Sequence, residues 1–157
     1  MSTGPTIRSG PWTMNLVVAH LQESVIPLRL ATSGQRFPLV QSLWFVYADA
    51  ALWCATQADS LVARRVTAHP RVGFEIASDD PPYRGVRGHG RATVLPEPAA
   101  EVLGMLIERY LGDPTLPLAR WLQARVDSEV AIRIDHLVMT SWDFTSRMTA
   151  APGRGRD

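Results

Sequence analysis

The chain has 157 residues, of which 46% are hydrophobic, and this length fits one domain with its own core rather than two full domains. A formal net charge of +1 excludes the broad basic field that drives nucleic-acid binding, and the single cysteine excludes an intramolecular disulfide or a multi-cysteine metal site. No apolar run approaches the roughly 20 residues of a membrane helix, and no secretory signal begins the chain, so we expect a cytoplasmic protein without a membrane partner.

The N-terminal segment predicts a tail followed by a short helix. We expect residues 1–157 to form a single domain in which 1–12 and 148–157 are flexible tails. Residues 14–23 can form a helix with Thr13 as its N-cap, because a threonine hydroxyl can accept one of the first free N–H groups of a helix. We expect this helix to act as a lid or a plug.

The next segment predicts three strands connected as a meander. Apolar residues at alternate positions from Ile26 to Leu30 indicate a half-buried strand, and Ser33-Gly34 supplies a turn. A return strand follows at 37–47, and the chain then turns into a third strand at 51–56. Cys54 lies in the apolar run of this third strand, and we expect a packed thiol rather than a reactive one because free cysteines are usually buried.

A strand end, a tight turn and a helix start follow one another between Thr56 and Ser60. The strand delivers the Thr56 hydroxyl, the turn exposes backbone N–H groups, and Ser60 begins a helix over 60–68 whose positive end faces outward. Pro70 ends this helix, because proline disfavours helical geometry in the residue before it, and a fourth strand follows at 72–76. This arrangement can meet a phosphate group, although a plain strand end and helix cap use the same residue types.

The second half of the chain predicts two further strands and two helices. A fifth strand covers 86–95, a helix with an apolar stripe covers 97–111, a second helical piece covers 116–125, and a last strand runs from 130 toward Trp142. Six mostly antiparallel strands with alternating apolar residues predict an α+β fold that is mainly β. The expected architecture is a six-stranded antiparallel split β-barrel with short flanking helices.

Arginine and glycine recur through residues 83–91, at the start of the fifth strand. An RNA-binding arginine–glycine tract would be longer and disordered, so we favour glycines that allow a bulge or the close approach of a ligand or second backbone. We therefore expect no nucleic-acid partner. The four histidines show no spacing typical of metal ligands, and we expect no metal site.

The order and spacing of these segments, over residues 28–144, resemble the flavin-binding split-barrel proteins of the pyridoxamine 5′-phosphate oxidase-like superfamily. The resemblance implies that the strand at 40–45 lines the isoalloxazine pocket and that Ala55-Thr56 meets the flavin phosphate. The ending Ser141-Trp142-Asp143-Phe144 resembles the actinobacterial, deazaflavin-using branch. The cofactor-binding residues that we infer are Ser42, Leu43, Trp44, Phe45, Ala55, Thr56, Ser60, Leu61, Val62, Arg64, Arg87 and Trp142.

The chain departs from the family pattern at the phosphate. The family's oxidases place basic residues on the flavin phosphate, and the matching positions here carry Val40, Phe45, Leu61 and Val62. Charge-assisted hydrogen bonds are the strong ones, so the oxidation of pyridoxamine phosphate is disfavoured. Arg64, one helical turn after Ser60, could hold the phosphate instead, and a deazaflavin coenzyme is favoured over flavin mononucleotide (FMN).

The expected function is that of a flavin- or deazaflavin-dependent oxidoreductase that transfers hydride to or from an unidentified small molecule. Residues 43–45 would flank the ring, partly through backbone N–H groups. The resemblance implies a homodimer whose site lies between the subunits, with Arg87 or the Trp142 segment reaching across. Two alternatives are a non-catalytic flavin or deazaflavin carrier and a dimeric interaction protein of the same fold that binds no flavin.

Overall fold

The computed structural model describes residues 4–149 of the chain. The strands in this range are β1 (Thr6–Ser9), β2 (Leu28–Thr32), β3 (Leu39–Leu43), β4 (Val46–Ala48), β5 (Ala51–Gln57), β6 (Arg71–Ala77), β7 (Arg84–Leu95) and β8 (Glu129–Asp143). The α-helices are α1 (Met14–Glu23), α2 (Leu61–Ala68), α3 (Ala99–Leu111), α4 (Pro117–Gln123) and α5 (Thr145–Thr149), and a 3-10 helix covers Val126–Ser128.

The sheet is antiparallel along its main path and bends back on itself. Its strand order is β3-β2-β6-β7-β8-β5-β4. β3 and β4 are the two end strands of this order, yet only Trp44 and Phe45 separate them in the chain. The two ends of the sheet must therefore lie close together, which gives a split barrel. The predicted α+β, mainly β fold class is confirmed.

The predicted number of strands was wrong. The return strand expected at 37–47 is two strands, because β3 pairs with β2 whereas β4 pairs with β5 at the opposite end of the sheet. The chain must bend at Trp44-Phe45 to make both pairings. With β1 added, the described residues hold eight strands rather than six.

Part of the segment expected as a flexible tail belongs to the sheet. Thr6–Ser9 pairs in parallel with β8, the Trp12 backbone N–H donates to Ser141 Oγ (3.1 Å), and the Trp12 ring N–H donates to Asp143 (3.3 Å). The flexibility expected of residues 1–12 is therefore wrong for Thr6–Ser9. The expectations for residues 1–3 and 150–157 lie outside the described residues.

The barrel core is apolar and receives one face from each of two helices. Val17 and Leu21 of α1 and Val62 and Val66 of α2 join the buried side chains of the strands. Thr13 and Ser60 cap these helices as predicted, since each side-chain oxygen accepts a backbone N–H of the first turn. Cys54 is fully buried, and burial raises the pKa of its thiol to about 12, so it is a packed residue.

The glycines of β7 allow three strands to pack closely. A Cβ on Gly88 would lie 2.4 Å from the Val138 carbonyl oxygen, and one on Gly90 would lie 2.6 Å from the Asp135 carbonyl oxygen. The register between β7 and β8 shifts between His89 and Arg91. Both observations confirm the predicted bulge and close backbone approach.

We predict that Gly88→Ala lowers the free energy of unfolding by about 1–3 kcal/mol, the usual cost of overpacking a core position. Gly104→Ala is the matched control, because a Cβ at this position in α3 would meet no atom within 4 Å. The control should raise stability by up to about 1 kcal/mol through helix propensity. Urea unfolding measures both effects, and an equal change in the two variants would contradict the packing argument.

Residues 4–149 contain neither a membrane-spanning helix nor a cluster of typical metal ligands. None of the helices within residues 4–149 is long and apolar enough to cross a membrane. In the same range, no group of three or more His, Cys, Asp or Glu side chains is placed to hold a metal ion.

Candidate functional site

A cavity of about 380 Å³ is lined in part by the C-terminal ends of β3 and β5. We call it the β3–β5 cavity. Its lining residues are Ser42, Leu43, Trp44, Ala55, Thr56, Gln57, Leu103, Leu106, Leu118, Trp121, Leu122, Arg125 and Glu129. Apolar and aromatic walls with a few polar groups are typical of a site for a small organic molecule.

The aromatic wall of this cavity is held in place by α3. The Trp44 ring stacks on Tyr110 with 4.8 Å between centroids and 3° between planes. The Tyr110 hydroxyl donates to the Ile26 carbonyl oxygen (3.1 Å) and accepts the Phe45 N–H (3.3 Å). Burial raises the pKa of Tyr110, so the hydroxyl keeps its proton at neutral pH. The bend that ends β3 is therefore fixed by one side chain of α3.

Arg109 ties the same part of α3 to the end of α1. Its guanidinium donates to the carbonyl oxygens of Leu21 (2.9 Å) and Gln22 (2.6 Å), and also to that of Ser24. It also lies over the Phe45 ring, 5.1 Å from the centroid. Because these carbonyl groups end α1, Arg109 satisfies acceptors that the helix itself leaves free.

A chain of hydrogen bonds reaches the cavity from the junction of β5 and β8. Ser128 Oγ donates to Gln57 Oε1 (2.8 Å), and Gln57 Nε2 donates to Glu129 Oε1. Gln57 and Glu129 are directly opposite each other in the register of β5 and β8. Only 9% of the whole Glu129 residue is exposed, so most of this cavity-lining residue is removed from solvent.

Arg125 lies on another part of the cavity wall. Its guanidinium is 4.3 Å from the centroid of the Trp121 ring, which is a cation–π arrangement. Trp121 and Leu118 of α4 are 54% and 46% exposed, so this wall is open to solvent. Within residues 4–149, no ion pair joins Arg125 to Glu129.

A second, basic region lies beside the C-terminal half of α2. A cavity of about 470 Å³ is lined there by Arg36, Arg64, Arg65, His69 and the loop at 33–37. Arg65 donates to the carbonyl oxygen of Phe37 (3.1 Å) and so fixes this loop. Arg64 lines this basic cavity and not the β3–β5 cavity.

Five of the residues inferred from the sequence meet in the β3–β5 cavity: Ser42, Leu43, Trp44, Ala55 and Thr56. The other seven do not line it. Arg87 lies 5.5 Å from the Trp142 ring centroid, so these two residues meet each other on β7 and β8. Ser60 uses its hydroxyl to accept the Ala63 N–H (3.2 Å) as a helix cap. Leu61 is 45% exposed at the start of α2.

Two of the inferred residues cannot act as expected. Phe45 is fully buried in the barrel core, and its N–H is already bonded to the Tyr110 hydroxyl, so neither its ring nor its N–H is free for a ligand. Val62 is 1% exposed, so its side chain packs in the core and only its backbone could face a ligand.

Most of the cavity wall was not predicted from the sequence. The residues missed are Gln57, Arg125, Glu129 and the apolar residues of α3 and α4. No local pattern marks them, because they reach the cavity through the pairing of β5 with β8 and the packing of α3 over the barrel.

Comparison with known proteins agrees with this architecture. A family model described as Pyridoxamine 5′-phosphate oxidase matches residues 18–133. A conserved hypothetical protein of Mycobacterium tuberculosis has 26% sequence identity and a TM-score of 0.74, over 94% of this chain and 93% of that chain. No curated protein sequence matches the chain.

Two further solved structures share the fold. A protein described as an F420 reductase has 26% identity and a TM-score of 0.62, over 73% of this chain and 89% of that chain. A FAD-binding protein from Mesorhizobium loti has 20% identity and a TM-score of 0.59, over 83% of this chain and 93% of that chain.

Proposed function

We propose that this chain, which belongs to the pyridoxamine 5′-phosphate oxidase family, binds a flavin or deazaflavin coenzyme in the β3–β5 cavity and acts as an oxidoreductase on a small molecule. One observation carries the proposal. The two strand ends that the family resemblance marks for the coenzyme, Ser42–Trp44 and Ala55-Thr56, line one apolar-walled cavity. The likeness to the F420 reductase and to the FAD-binding protein supports the same class of ligand.

The residues present fit the ring of such a coenzyme. Trp44 stacks on Tyr110 and offers a fixed aromatic wall, and Leu103 and Leu106 of α3 add apolar side chains to the cavity lining. The hydroxyl groups of Ser42 and Thr56 can donate hydrogen bonds to a bound ring or its side chain. The bound coenzyme would supply hydride transfer, and the protein would supply orientation, electrostatics and a dry site.

The positions that hold the coenzyme phosphate in the family's oxidases carry no basic residues in this chain. At the family's basic positions the chain exposes Val40 (63%) and Leu61 (45%), while Phe45 and Val62 are buried. We therefore propose that the protein does not oxidise pyridoxamine phosphate and that Arg64 holds the phosphate. A deazaflavin is favoured over FMN, because the Ser141–Phe144 ending resembles the deazaflavin-using branch.

We further propose that the protein is a homodimer. β3 is an end strand of the sheet, with exposed apolar side chains at Val40 and at Phe37 just before the strand. Val86 of β7 is fully buried in the barrel and does not contribute to such a face. A second copy would cover the exposed edge.

The expected result in sedimentation at micromolar concentration is a single species of twice the 17.3 kDa chain mass. Val40→Lys should shift the equilibrium toward monomer, because a charge on an edge strand opposes pairing. A single 17.3 kDa species for the unaltered chain would contradict the dimer.

A carrier without turnover is the second candidate, since the apolar residues at the family's basic positions favour weak or modified coenzyme binding. Both candidates predict a coloured complex. Repeated reduction and reoxidation of the bound coenzyme by a nicotinamide dinucleotide or by reduced deazaflavin would support the oxidoreductase. A coloured complex that exchanges no electrons with either would support the carrier, and a protein that binds no coenzyme would be an interaction protein.

A further inference from the structure

Glu129 lines the β3–β5 cavity, and among the described residues only one of its two carboxylate oxygens has a hydrogen-bond partner. Oε1 accepts from the Gln57 amide, whose orientation is set in turn by Ser128. Oε2 has no hydrogen-bond partner among the described residues, although it is not among the fully buried unpartnered atoms and so retains contact with open space. This oxygen therefore keeps exposed surface at which a donor could approach.

Within residues 4–149, no cationic side chain forms an ion pair with the Glu129 carboxyl group. The ion pairs in the described part of the chain involve Asp79 and Asp135, not Glu129. Arg125 lines the same cavity but lies against the Trp121 ring. Most of the Glu129 residue is buried, and a carboxylate group can accept more hydrogen bonds than the one that Gln57 supplies, so a further donor would be favourable here.

We propose that Glu129 is a specificity-determining residue whose free oxygen accepts a hydrogen bond from a ring N–H of the molecule bound in the cavity. The chemical class that fits is a heteroaromatic ring with an imide-type N–H on its polar edge. Flavin and deazaflavin rings both carry such a group. This inference rests on the proposed function and names the residue that selects the ring.

The arrangement explains why Gln57 and Ser128 belong to the site. Ser128 Oγ lies 2.8 Å from both Gln57 Oε1 and the Arg125 carbonyl oxygen, and the Gln57 NH₂ group donates to Glu129, whose carboxylate oxygens can only accept. This contact holds the carboxylate in one orientation while leaving Oε2 free. Gln57 and Ser128 are thus positioning residues, and Glu129 is the group that contacts the ligand.

The test compares two ring probes that lack a phosphate, lumiflavin and 3-methyllumiflavin, by equilibrium titration of flavin fluorescence. In 3-methyllumiflavin, a methyl group replaces the hydrogen of the imide N–H, so this donor is lost. We expect the unaltered chain to bind lumiflavin at least about tenfold more tightly than 3-methyllumiflavin, the scale of one hydrogen bond to a charged group. In Glu129→Gln the ratio should fall several-fold, and in Glu129→Met, which has no strong acceptor, it should fall to within about threefold of unity.

Asp127→Asn is the matched control, since it removes an exposed carboxylate two residues away that does not line the cavity. It should leave the ratio unchanged, and thermal unfolding of each variant shows whether it is folded. If the chain binds FMN but all variants keep the ratio of the unaltered chain, this inference is wrong while the proposed function stands. If the chain binds neither FMN, deazaflavin nor either ring probe, the proposed function fails and this inference fails with it.

Discussion

The Ala55→Phe variant is expected to bind FMN and deazaflavin at least about 100-fold more weakly than the unaltered chain, a loss of about 2.7 kcal/mol. Ala55 lies on β5 at the wall of the β3–β5 cavity, partly buried against α3. A phenyl ring at this position would occupy part of the β3–β5 cavity in which we place the coenzyme ring. The bound ring could not enter without displacing it.

Equilibrium titration followed by fluorescence measures the loss, and circular dichroism checks that the variant is folded. Thr93→Phe is the matched control, because Thr93 is an exposed β7 residue that does not line the cavity. The control should retain normal affinity. A folded Ala55→Phe variant with the affinity of the unaltered chain would mean that the coenzyme binds elsewhere.

The Arg64→Ala variant is expected to lose about 1.5–3 kcal/mol of coenzyme affinity, the range for hydrogen bonds to charged groups. Arg64 lines the basic cavity beside the loop at 33–37, and this loop leads into β3, whose other end forms the β3–β5 cavity. The five residues of β3 span about 17 Å, so a coenzyme with a long side chain can reach from one cavity to the other.

Arg91→Ala is the control for Arg64 and should cost little, although Arg91 also lies in a basic region of the surface. Titration with the same coenzyme measures both variants. Equal losses in the two would show that the phosphate has been placed wrongly. If Arg125→Ala lost more coenzyme affinity than Arg64→Ala, the phosphate would instead bind at the β3–β5 cavity, where Arg125 lies over Trp121.

Local sequence patterns predicted most of the elements, because each pattern is set by neighbours in the chain. The caps at Thr13 and Ser60, the stop at Pro70 and the alternation in β6 depend on residues within one or two turns. The bend at Trp44-Phe45 is different. It is held by Tyr110, which is 65 residues from Phe45, and nothing near the bend marks the break between β3 and β4.

Only part of the candidate site could be predicted from the sequence, because the rest depends on contacts between residues that are distant in the chain. Ser42–Trp44 and Ala55-Thr56 lie on strands whose order resembles a known family, and the structure brings them together. Glu129 reaches the cavity only because β5 and β8 pair with Gln57 opposite Glu129, a register that the sequence does not reveal. Arg64 is one turn from Ser60, yet it faces the basic cavity rather than Thr56, since helix spacing alone does not determine which cavity a side chain lines.

The most direct test of the central claim is equilibrium titration of the unaltered chain with FMN and with a deazaflavin coenzyme. We predict that both coenzymes bind, that the deazaflavin binds more tightly, and that the FMN complex releases no peroxide with pyridoxine phosphate. Nanomolar FMN binding together with peroxide release would assign the protein to the pyridoxamine phosphate oxidases instead. Failure of both coenzymes to bind would contradict the claim that the β3–β5 cavity is a coenzyme site.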